Sequence, residues 1–230
     1  MTVFALPTPA VVALTLGLIF AVVDWVAVIR RAKRLEYVFK PLTLLVVIVG
    51  AWLLRLGSYD PRLLRWFLPA LALSLLGDVF LMLPDKRWFL WGLASFLAAH
   101  LFYIVGLTPS LPPRAALWLV LPIVALDVVV LRRIVAGVVA SGSEAMRGPV
   151  IAYGAILSLT LFAGWATWFR AAWPLAGRIT ASVGATLFFL SDLMLAWDRF
   201  VERSHLLHVL VLVTYHLAQI ALALTIATAA

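Results

Sequence analysis

The sequence of 230 residues contains no cysteine and few charged side chains. The absence of cysteine excludes disulfide bonds, a thiol nucleophile and a cysteine-ligated metal within this sequence. Only 12% of the residues are charged and 65% are hydrophobic, whereas a soluble domain is about 25% charged and about 45–50% apolar. A water-soluble fold of this size cannot bury so much apolar surface, so we expect lipid to surround most of the chain.

Several motifs of soluble enzymes are also missing. There is no Gly-x-Ser-x-Gly elbow, no phosphate-binding Gly-x-x-x-x-Gly-Lys-Ser/Thr loop and no His-Glu-x-x-His metal motif. Residues 1–23 carry no basic side chain ahead of the apolar run, which argues against a cleavable signal peptide. The 18 Lys and Arg lie in short clusters between apolar runs. That placement is typical of topology determinants and lipid-headgroup contacts and argues against a nucleic-acid partner.

Eight apolar runs are long enough to cross a bilayer, which takes about 20 residues of helix. They cover residues 8–29, 41–57, 63–83, 88–107, 115–136, 149–169, 178–197 and 205–227. The connections between them are short and rich in Pro, Gly, Ser and charge. We therefore predict an all-α fold, a polytopic membrane helix bundle of eight transmembrane helices that forms a single integral membrane domain, residues 1–230.

The distribution of basic residues predicts an orientation. The first, third, fifth and seventh connections carry 12 of the 18 Lys and Arg, and the even-numbered connections carry 6. Because basic connections stay in the cytoplasm, we expect the odd connections there and both termini outside. The compact chain without tails favours a bacterial cytoplasmic membrane.

The two halves of the chain, residues 1–113 and 114–230, repeat similar elements in the same order. The paired elements are Asp24 with Asp127, Lys40-Pro41 with Gly148-Pro149, Gly77-Asp78 with Ser191-Asp192, and His100 with His216. Four helices per unit is an even number, so both units would point the same way, as in a parallel repeat. Coincidence among Leu-rich helices is the alternative interpretation.

Ionisable and polar side chains within the spans are the main functional signal, because each charged one costs about 2.5–3.5 kcal/mol on insertion scales. They come from six spans and all lie between the odd-connection surface and about the midplane. The set comprises Lys40, Asp78, His100, Tyr153, Asp192, Tyr215, His216 and Gln219. This asymmetry predicts a cavity open to one leaflet, acidic at its base, with Lys40 at its rim.

Structural roles are the alternatives for these side chains. Asp78 and Asp192 could bridge helices through hydrogen bonds, and Lys40 could extend to lipid headgroups. Tyr103 and Tyr215 could be hydrogen-bonded interior tyrosines.

Four further ionisable residues are expected outside the site. We expect His205 and His208 at the membrane interface, and we expect Asp24 and Asp127 to pair with the basic clusters that follow them. The histidines of spans 4 and 8 could hold a divalent metal with the two aspartates, but their spacing is not diagnostic and we predict no metal and no cofactor.

Two carboxyl groups in a low-dielectric cavity titrate apart, so one can keep a proton while the other is ionised. The protonated group can act as a general acid and the ionised group as a general base for water, as in glycosidases. Hydrolysis of a vinyl ether needs the same groups. Its β-carbon takes a proton, an oxocarbenium ion forms, and water adds to give a hemiacetal that collapses to an aldehyde and an alcohol. No serine nucleophile is required.

A set of short motifs runs through spans 2–4 and 6–8. They are Lys40-Pro41, Gly77-Asp78 with Leu81, Gly92 with Phe96, His100 and Tyr103, Gly184-Ala185-x-Leu187-Phe188-x-x-Ser191-Asp192, Arg199-Phe200 and Tyr215-x-x-x-Gln219. In these motifs the chain resembles the YhhN-like lysoplasmalogenase family over essentially its whole length. The Gly-Ala-x-x-Phe-x-x-Ser-Asp element is the most specific part of the resemblance.

The resemblance implies an integral membrane hydrolase that cleaves the vinyl-ether bond of lysoplasmalogens. The products would be a fatty aldehyde and glycerophosphocholine or glycerophosphoethanolamine. Asp78 and Asp192 would be the catalytic carboxylates, with Asp78 the first choice for the general acid and Asp192 for the general base. The side chains expected to bind the lysophospholipid are Lys40, His100, Tyr103, Tyr153, Ser191, Tyr215, His216 and Gln219.

Two other functions fit the sequence. A transporter or flippase of a lipid or amphiphile would also show a parallel repeat and polar groups near the midplane. A metal-dependent lipid hydrolase on the same scaffold is the third possibility.

Overall fold

The computed structural model describes residues 6–229; residues 1–5 and 230, which the predicted domain includes, lie outside the described residues. Eight α-helices of 20 to 26 residues make up most of the described chain. They are α1 (Thr8–Ile29), α2 (Lys33–Leu53), α3 (Pro61–Met82), α4 (Lys86–Leu107), α5 (Val120–Ala140), α6 (Arg147–Ala166), α7 (Leu175–Phe200) and α8 (His205–Thr228). Four short 3-10 segments lie at Leu54–Leu56, Arg114–Leu119, Glu144–Met146 and Thr167–Phe169.

Each of these eight helices, together with its 3-10 extension where it has one, is long and apolar enough to cross a membrane. Large apolar side chains cover their outer faces, with Ile19, Trp91, Leu121 and Val129 all more than half exposed. In water such a surface would be strongly unfavourable, whereas hydrocarbon solvates it. The prediction of an all-α polytopic membrane bundle is therefore confirmed.

The start of α2 differs from the prediction. The helix begins at Lys33, eight residues before the predicted start at 41, and Pro41 lies inside it. Proline lacks a backbone N–H and favours the first turn of a helix, which is why the sequence suggested a start there. The connection between α1 and α2 is only Arg30 to Ala32, and the positive φ of 58° at Arg31 reverses the chain.

Two helices begin with side-chain caps. The Asp60 carboxylate accepts hydrogen bonds from the backbone N–H groups of Arg62 and Leu63, and Pro61 occupies the first position of α3. The Asp85 carboxylate accepts from the N–H of Arg87 at the start of α4. These side chains satisfy N–H groups that have no partner within the helix.

The core is centred on α8, which packs against α7 and also contacts α1, α2 and α3. The helix pairs α1–α2, α3–α4 and α7–α8 form closely packed hairpins. Close approach of α7 and α8 depends on Gly184, where an added Cβ would lie 2.8 Å from Cγ of Leu222. By contrast, α5 is almost entirely exposed and contacts its neighbours sparsely.

The helix contacts between the two halves of the chain follow a partly symmetric pattern. Helix α2 packs on α8, and α4 packs on α6, so the second helix of each half contacts the fourth helix of the other half. The third and fourth helices of each half form the hairpins α3–α4 and α7–α8. The helix pair α5–α6 departs from this pattern, because α1–α2 is tightly packed and α5–α6 is not. The division into 1–113 and 114–230 stays a prediction.

Arg170 links two connections at the end of the bundle opposite Asp78 and Asp192. It lies in the connection between α6 and α7. Its guanidinium donates hydrogen bonds to the hydroxyl and the carbonyl oxygen of Ser110, which joins this connection to the one between α4 and α5. Burial and the nearby positive charge of Arg62 lower the pKa of Arg170.

Candidate active site

A polar cavity of about 200 Å³ lies between α2, α3, α4, α7 and α8. Both Asp78 and Asp192 line it, although they come from helices 114 positions apart in sequence. Asp78 lies four residues before the last residue of α3, and Asp192 lies eight residues before the last residue of α7. The two carboxylates therefore share one space near one end of the bundle.

Asp78 is 1% exposed and both of its carboxylate oxygens have partners. The Nζ atom of Lys40 lies 3.2 Å from Oδ1. The Tyr215 hydroxyl donates a hydrogen bond of 2.7 Å to Oδ2. Because Lys40 is itself buried, the expected position of this lysine at the rim of the cavity is wrong, and its charge lies at the base beside Asp78.

Asp192 has a different set of partners. Its Oδ2 atom accepts a short hydrogen bond from the Tyr153 hydroxyl and lies 3.0 Å from Nε2 of His100. No partner of Oδ1 is found in the described part of the chain, and this atom is not fully buried. Asp192 thus keeps one oxygen free while the other receives two side chains.

The proton on His100 is constrained by Thr160. The hydroxyl oxygen of Thr160 lies 3.1 Å from Nδ1 of His100 and 3.1 Å from the carbonyl oxygen of Ile156. A hydroxyl has one proton, so when it donates to the Ile156 carbonyl, Nδ1 of His100 must carry its own proton. The contact between Nε2 and Asp192 then requires one further proton, shared by the imidazole and the carboxyl group. In that tautomer the pair holds one proton that either group can carry.

The partners of the two aspartates follow the proposed repeat. Asp78, on α3, contacts Lys40 from the second helix of its own half and Tyr215 from the fourth helix of the other half. Asp192, on α7, contacts Tyr153 and His100 from the corresponding helices. The partners of the two aspartates therefore come from corresponding helices but differ in chemical type, since of the two only Asp78 contacts a lysine.

The other predicted site residues differ in whether they line the cavity or lie buried away from it. Ser191 lines the cavity, and its hydroxyl donates to the carbonyl oxygen of Val211. Tyr103 and Gln219 are fully buried beneath it, where the Tyr103 hydroxyl donates a 2.6 Å hydrogen bond to Oε1 of Gln219. His216 points toward α1, and its Nδ1 accepts a hydrogen bond from Nε1 of Trp25. These three residues, Tyr103, Gln219 and His216, do not line the cavity.

The mouth of the cavity contains residues that the sequence analysis missed. Glu36 pairs with Lys33 at 2.7 Å, and its other oxygen lies 3.6 Å from Nε2 of His208. Arg199 lines the same region from α7. Glu36 precedes Lys40 by four residues, a spacing that places both on one helix face. That signal was lost because the predicted second span began only at residue 41.

The expected pairing of Asp24 and Asp127 with basic clusters is wrong. Asp24 is fully buried on α1, and within residues 6–229 neither of its carboxylate oxygens has a hydrogen-bond partner. Asp127 accepts a 2.8 Å hydrogen bond from the Ser158 hydroxyl across α5 and α6. Arg30 and Arg31 lie beyond the end of α1, in the turn to α2, which separates them from the buried face that carries Asp24.

Among the residues that the structure describes, no group of three or more His, Cys, Asp or Glu has the arrangement of a metal site. Asp192 and His100 are in direct contact, but Asp78 is bound to Lys40 and Tyr215 instead. The groups that contact the two aspartates are imidazole, phenol and ammonium groups.

The sequence matches known proteins along most of its length. The model of the YhhN family matches residues 35–226. The mouse (Mus musculus) protein named Lysoplasmalogenase TMEM86B is 35% identical over 184 residues, which are 79% of this chain and 71% of the mouse protein. No solved structure matches the chain.

Two further relatives carry the same activity in their names. The human (Homo sapiens) protein named Lysoplasmalogenase TMEM86B is 34% identical over 68% of this chain and 61% of its own length. The protein of Mycobacterium bovis named Lysoplasmalogenase is 34% identical over 68% of this chain and 58% of its own length. The matched segment thus spans less than two thirds of the human and mycobacterial proteins.

Proposed function

The chain belongs to the YhhN family, and on this premise we propose that it is a membrane enzyme that hydrolyses the vinyl-ether bond of lysoplasmalogens. The products are a fatty aldehyde and glycerophosphocholine or glycerophosphoethanolamine. The relatives named lysoplasmalogenase support this substrate class. The observation that carries the proposal is that two carboxyl groups with unequal partners, Asp78 and Asp192, line one polar cavity.

We assign the general acid to Asp192, the reverse of the first choice made from the sequence. Two observations support this assignment: His100 lies at Oδ2, where the pair can hold a proton, and no protein partner of Oδ1 is found in the described chain. In the first step Asp192 transfers a proton to the β-carbon of the vinyl ether. The positive charge that develops at the neighbouring carbon is shared with the ether oxygen as an oxocarbenium ion.

We assign the general base to Asp78. The ammonium group of Lys40, 3.2 Å away, stabilises the ionised carboxylate. Asp78 accepts a proton from water as the water oxygen bonds to the oxocarbenium carbon, and a hemiacetal results. The negative charge of Asp78 also stabilises the cationic intermediate across the small cavity.

The two carboxyl groups then exchange roles for the collapse of the hemiacetal. Asp192, now ionised, removes the hemiacetal hydroxyl proton as the carbonyl group forms. Asp78, now protonated, donates its proton to the departing glycerol oxygen. Both groups return to their initial protonation states, and one water molecule is consumed for each aldehyde and alcohol released. Neither a metal nor an external cofactor enters this sequence of steps.

The phosphate of the headgroup is expected at the mouth of the cavity. Lys40 is buried and engaged with Asp78, so the cations available to the phosphate are Arg199 and Lys33, which line the cavity and are more exposed, although Lys33 also pairs with Glu36. Guanidinium and ammonium groups both bind phosphate oxygens, the former with two donors in a plane. The headgroup would thus remain at the membrane surface while the vinyl ether reaches Asp192.

The test of this function is a lipid panel measured by mass spectrometry. Purified protein in detergent is incubated with vinyl-ether, alkyl-ether and acyl lysophospholipids of equal chain length and headgroup. We expect a fatty aldehyde from the vinyl-ether lipid alone, because only that bond gives an oxocarbenium ion on carbon protonation. Release of a fatty acid from the acyl lipid at a similar rate, or no product from any lipid, would contradict the proposal.

The same preparation separates the enzyme from the two alternatives. In proteoliposomes a transporter exchanges its lipid intact across the bilayer, whereas an enzyme consumes the lipid. A metal-dependent hydrolase loses activity in a chelator and recovers it on addition of the metal. The proposed mechanism predicts consumption of the lipid and activity that is unchanged by chelators. The orientation with both termini outside and the bacterial cytoplasmic membrane remain predictions.

A further inference from the structure

Asp192 borders a second, apolar pocket as well as the polar cavity. This pocket lies between α4, α5, α6 and α7 and has a volume of about 60 Å³. Asp127, Tyr153 and Asp192 are its polar members, and the remaining lining is aliphatic and aromatic, apart from Gly154. Asp192 is the one residue common to the linings of the apolar pocket and the polar cavity that can exchange a proton, so the boundary between them lies at the proposed acid.

On its α5–α6 side the apolar pocket adjoins a groove that faces the lipid. This groove, of about 750 Å³, runs along the outside of these two helices. Asp127 and Leu131 line both the pocket and the groove. The barrier between the two spaces is thin, because these two residues line both, and at this point α5 and α6 pack closely, since a Cβ added to Gly154 would lie in van der Waals contact with Leu131, 3.5 Å away. We call this barrier the α5–α6 seam.

Helix α5 is weakly held at the seam. Only 6% of the residues in its most apolar stretch are buried, against 39% to 56% for the corresponding stretches of the other seven helices. Its buried residues are Ile134 and Val138. The hydrogen bond from Ser158 to Asp127 bridges α5 and α6. A helix with so few buried contacts can move away from its neighbours at low cost.

We propose that the hydrocarbon chain of the lysolipid enters from the bilayer through the α5–α6 seam and lies in the apolar pocket and the outer groove. This inference rests on the proposed function and adds the place of the chain. A volume of about 60 Å³ equals that of about two water molecules, so the pocket holds the first carbons beside Asp192. The rest of the chain lies in the groove, where it also contacts lipid.

The chemistry of the reaction supports this arrangement. The β-carbon of a vinyl ether is on the chain side of the ether oxygen, and water attacks the carbon next to that oxygen. The carbon that takes the proton is therefore one bond farther along the chain than the carbon that water attacks, an order that fits an acid beside the apolar pocket and a base in the polar cavity. Asp192 borders both spaces, and Asp78 lines only the polar cavity. This placement agrees with the assignment of Asp192 as the acid and Asp78 as the base that their hydrogen-bond partners support.

The first test fills the pocket and compares chain lengths. Gly154→Phe places a ring at the seam, and Ala155→Phe places the same ring on the exposed face of the same helix as a matched control. The substrates are lysoplasmenylcholine with a hexadecenyl chain and its ethenyl analogue, which has no carbons beyond the double bond. We expect Gly154→Phe to lower kcat/KM for the long substrate by about tenfold or more, a loss equivalent to about 1.4 kcal/mol. The ethenyl analogue should change by less than about threefold in either variant.

The outcomes separate this inference from the proposed function. If the wild-type protein hydrolyses neither substrate, the proposed function fails. If the wild-type protein is active and Gly154→Phe and Ala155→Phe behave alike on the long substrate, only the place of the chain is wrong. An equal loss on both substrates in Gly154→Phe would also overturn the inference, because the ring would then act on catalysis or folding and not on the chain.

A second test closes the seam reversibly. Because the chain contains no cysteine, Leu131→Cys with Gly154→Cys introduces a unique pair, which a bis-methanethiosulfonate reagent with a two-carbon spacer can join. Cross-linking should abolish turnover of the hexadecenyl substrate, beyond any partial loss that the reagent causes in either single variant, and dithiothreitol should restore it. Full turnover of the long substrate in cross-linked protein would show that the chain does not pass between α5 and α6.

Discussion

Nε2 of His100 lies 3.0 Å from Oδ2 of Asp192, although the two residues are 92 positions apart in the sequence. This contact joins α4 to α7 across the centre of the bundle. It gives Asp192 a partner that can take up or release a proton, whereas Asp78 has a lysine. The unequal partners are the basis for assigning the acid to Asp192.

Replacement of His100 by glutamine tests this contact. An amide of similar size can still donate a hydrogen bond to Asp192, but it cannot exchange a proton. We expect the kcat for lysoplasmalogen hydrolysis to fall on the order of 10²-fold, within the range typical of general acid–base groups, with little change in thermal stability. Steady-state kinetics and a melting curve in detergent give both values. A kcat within about threefold of wild type would remove His100 from the proton pathway.

The ion pair between Lys40 and Asp78 predicts a double-variant effect. Breaking a buried pair by Lys40→Met leaves an unpaired carboxylate, which costs about 3–5 kcal/mol of folding free energy. We expect Lys40→Met to lower the melting temperature strongly, and Lys40→Met with Asp78→Asn to recover most of the loss. Both proteins should be inactive. Additive effects of the two substitutions on stability would show that the pair contributes no coupling energy.

The buried carboxyl group of Asp24 leads us to expect that an apolar replacement stabilises the protein. Its carboxyl group is fully buried, and neither oxygen has a hydrogen-bond partner within the described residues. A buried polar group without a partner costs about 1–3 kcal/mol, so Asp24→Leu should raise the melting temperature by a few degrees and leave kcat unchanged. Asp24→Asn is the control, because the amide keeps the desolvation cost. Loss of activity in Asp24→Leu would instead connect this carboxyl group with the site.

The close packing at Gly184 predicts that a larger residue destabilises the protein and that a second substitution partly offsets the loss. An added Cβ would lie 2.8 Å from the Leu222 side chain, and overpacking of this kind costs about 1–3 kcal/mol. We therefore expect Gly184→Ala to lower the melting temperature, and Gly184→Ala with Leu222→Ala to lose less than the sum of the two single variants. If the two losses simply add, the helices α7 and α8 do not meet at this point.

The amount that could be predicted from sequence differs between the fold and the site. The eight spans follow from composition and length alone, because each must satisfy its backbone within the membrane. Asp78 and Asp192 were selected because a charged side chain within an apolar helix raises the free energy of membrane insertion and therefore indicates a functional role. Their contacts with Lys40, Tyr215, Tyr153 and His100 could not be predicted, since pairing between helices depends on how each helix is rotated about its axis.

The errors have identifiable causes. The second span was started at Pro41, since proline favours the first turn of a helix, and Glu36 and the buried position of Lys40 were missed as a result. Asp24 was assigned to the basic cluster because Arg30 follows it closely in sequence, but its side chain faces the core of the bundle. Sequence proximity does not show which face of a helix a side chain occupies.

The central claim is that Asp78 and Asp192 act together as base and acid on one substrate. Aldehyde release from lysoplasmenylcholine by wild type, Asp78→Asn, Asp192→Asn and the double variant tests it directly, with melting curves to verify folding. We predict that each single variant loses activity on the order of 10²-fold or more. Because the effects of substituting residues that act as a unit are not additive, the double variant should be no less active than the less active of the two single variants. Turnover near the wild-type rate in either folded single variant would contradict the account.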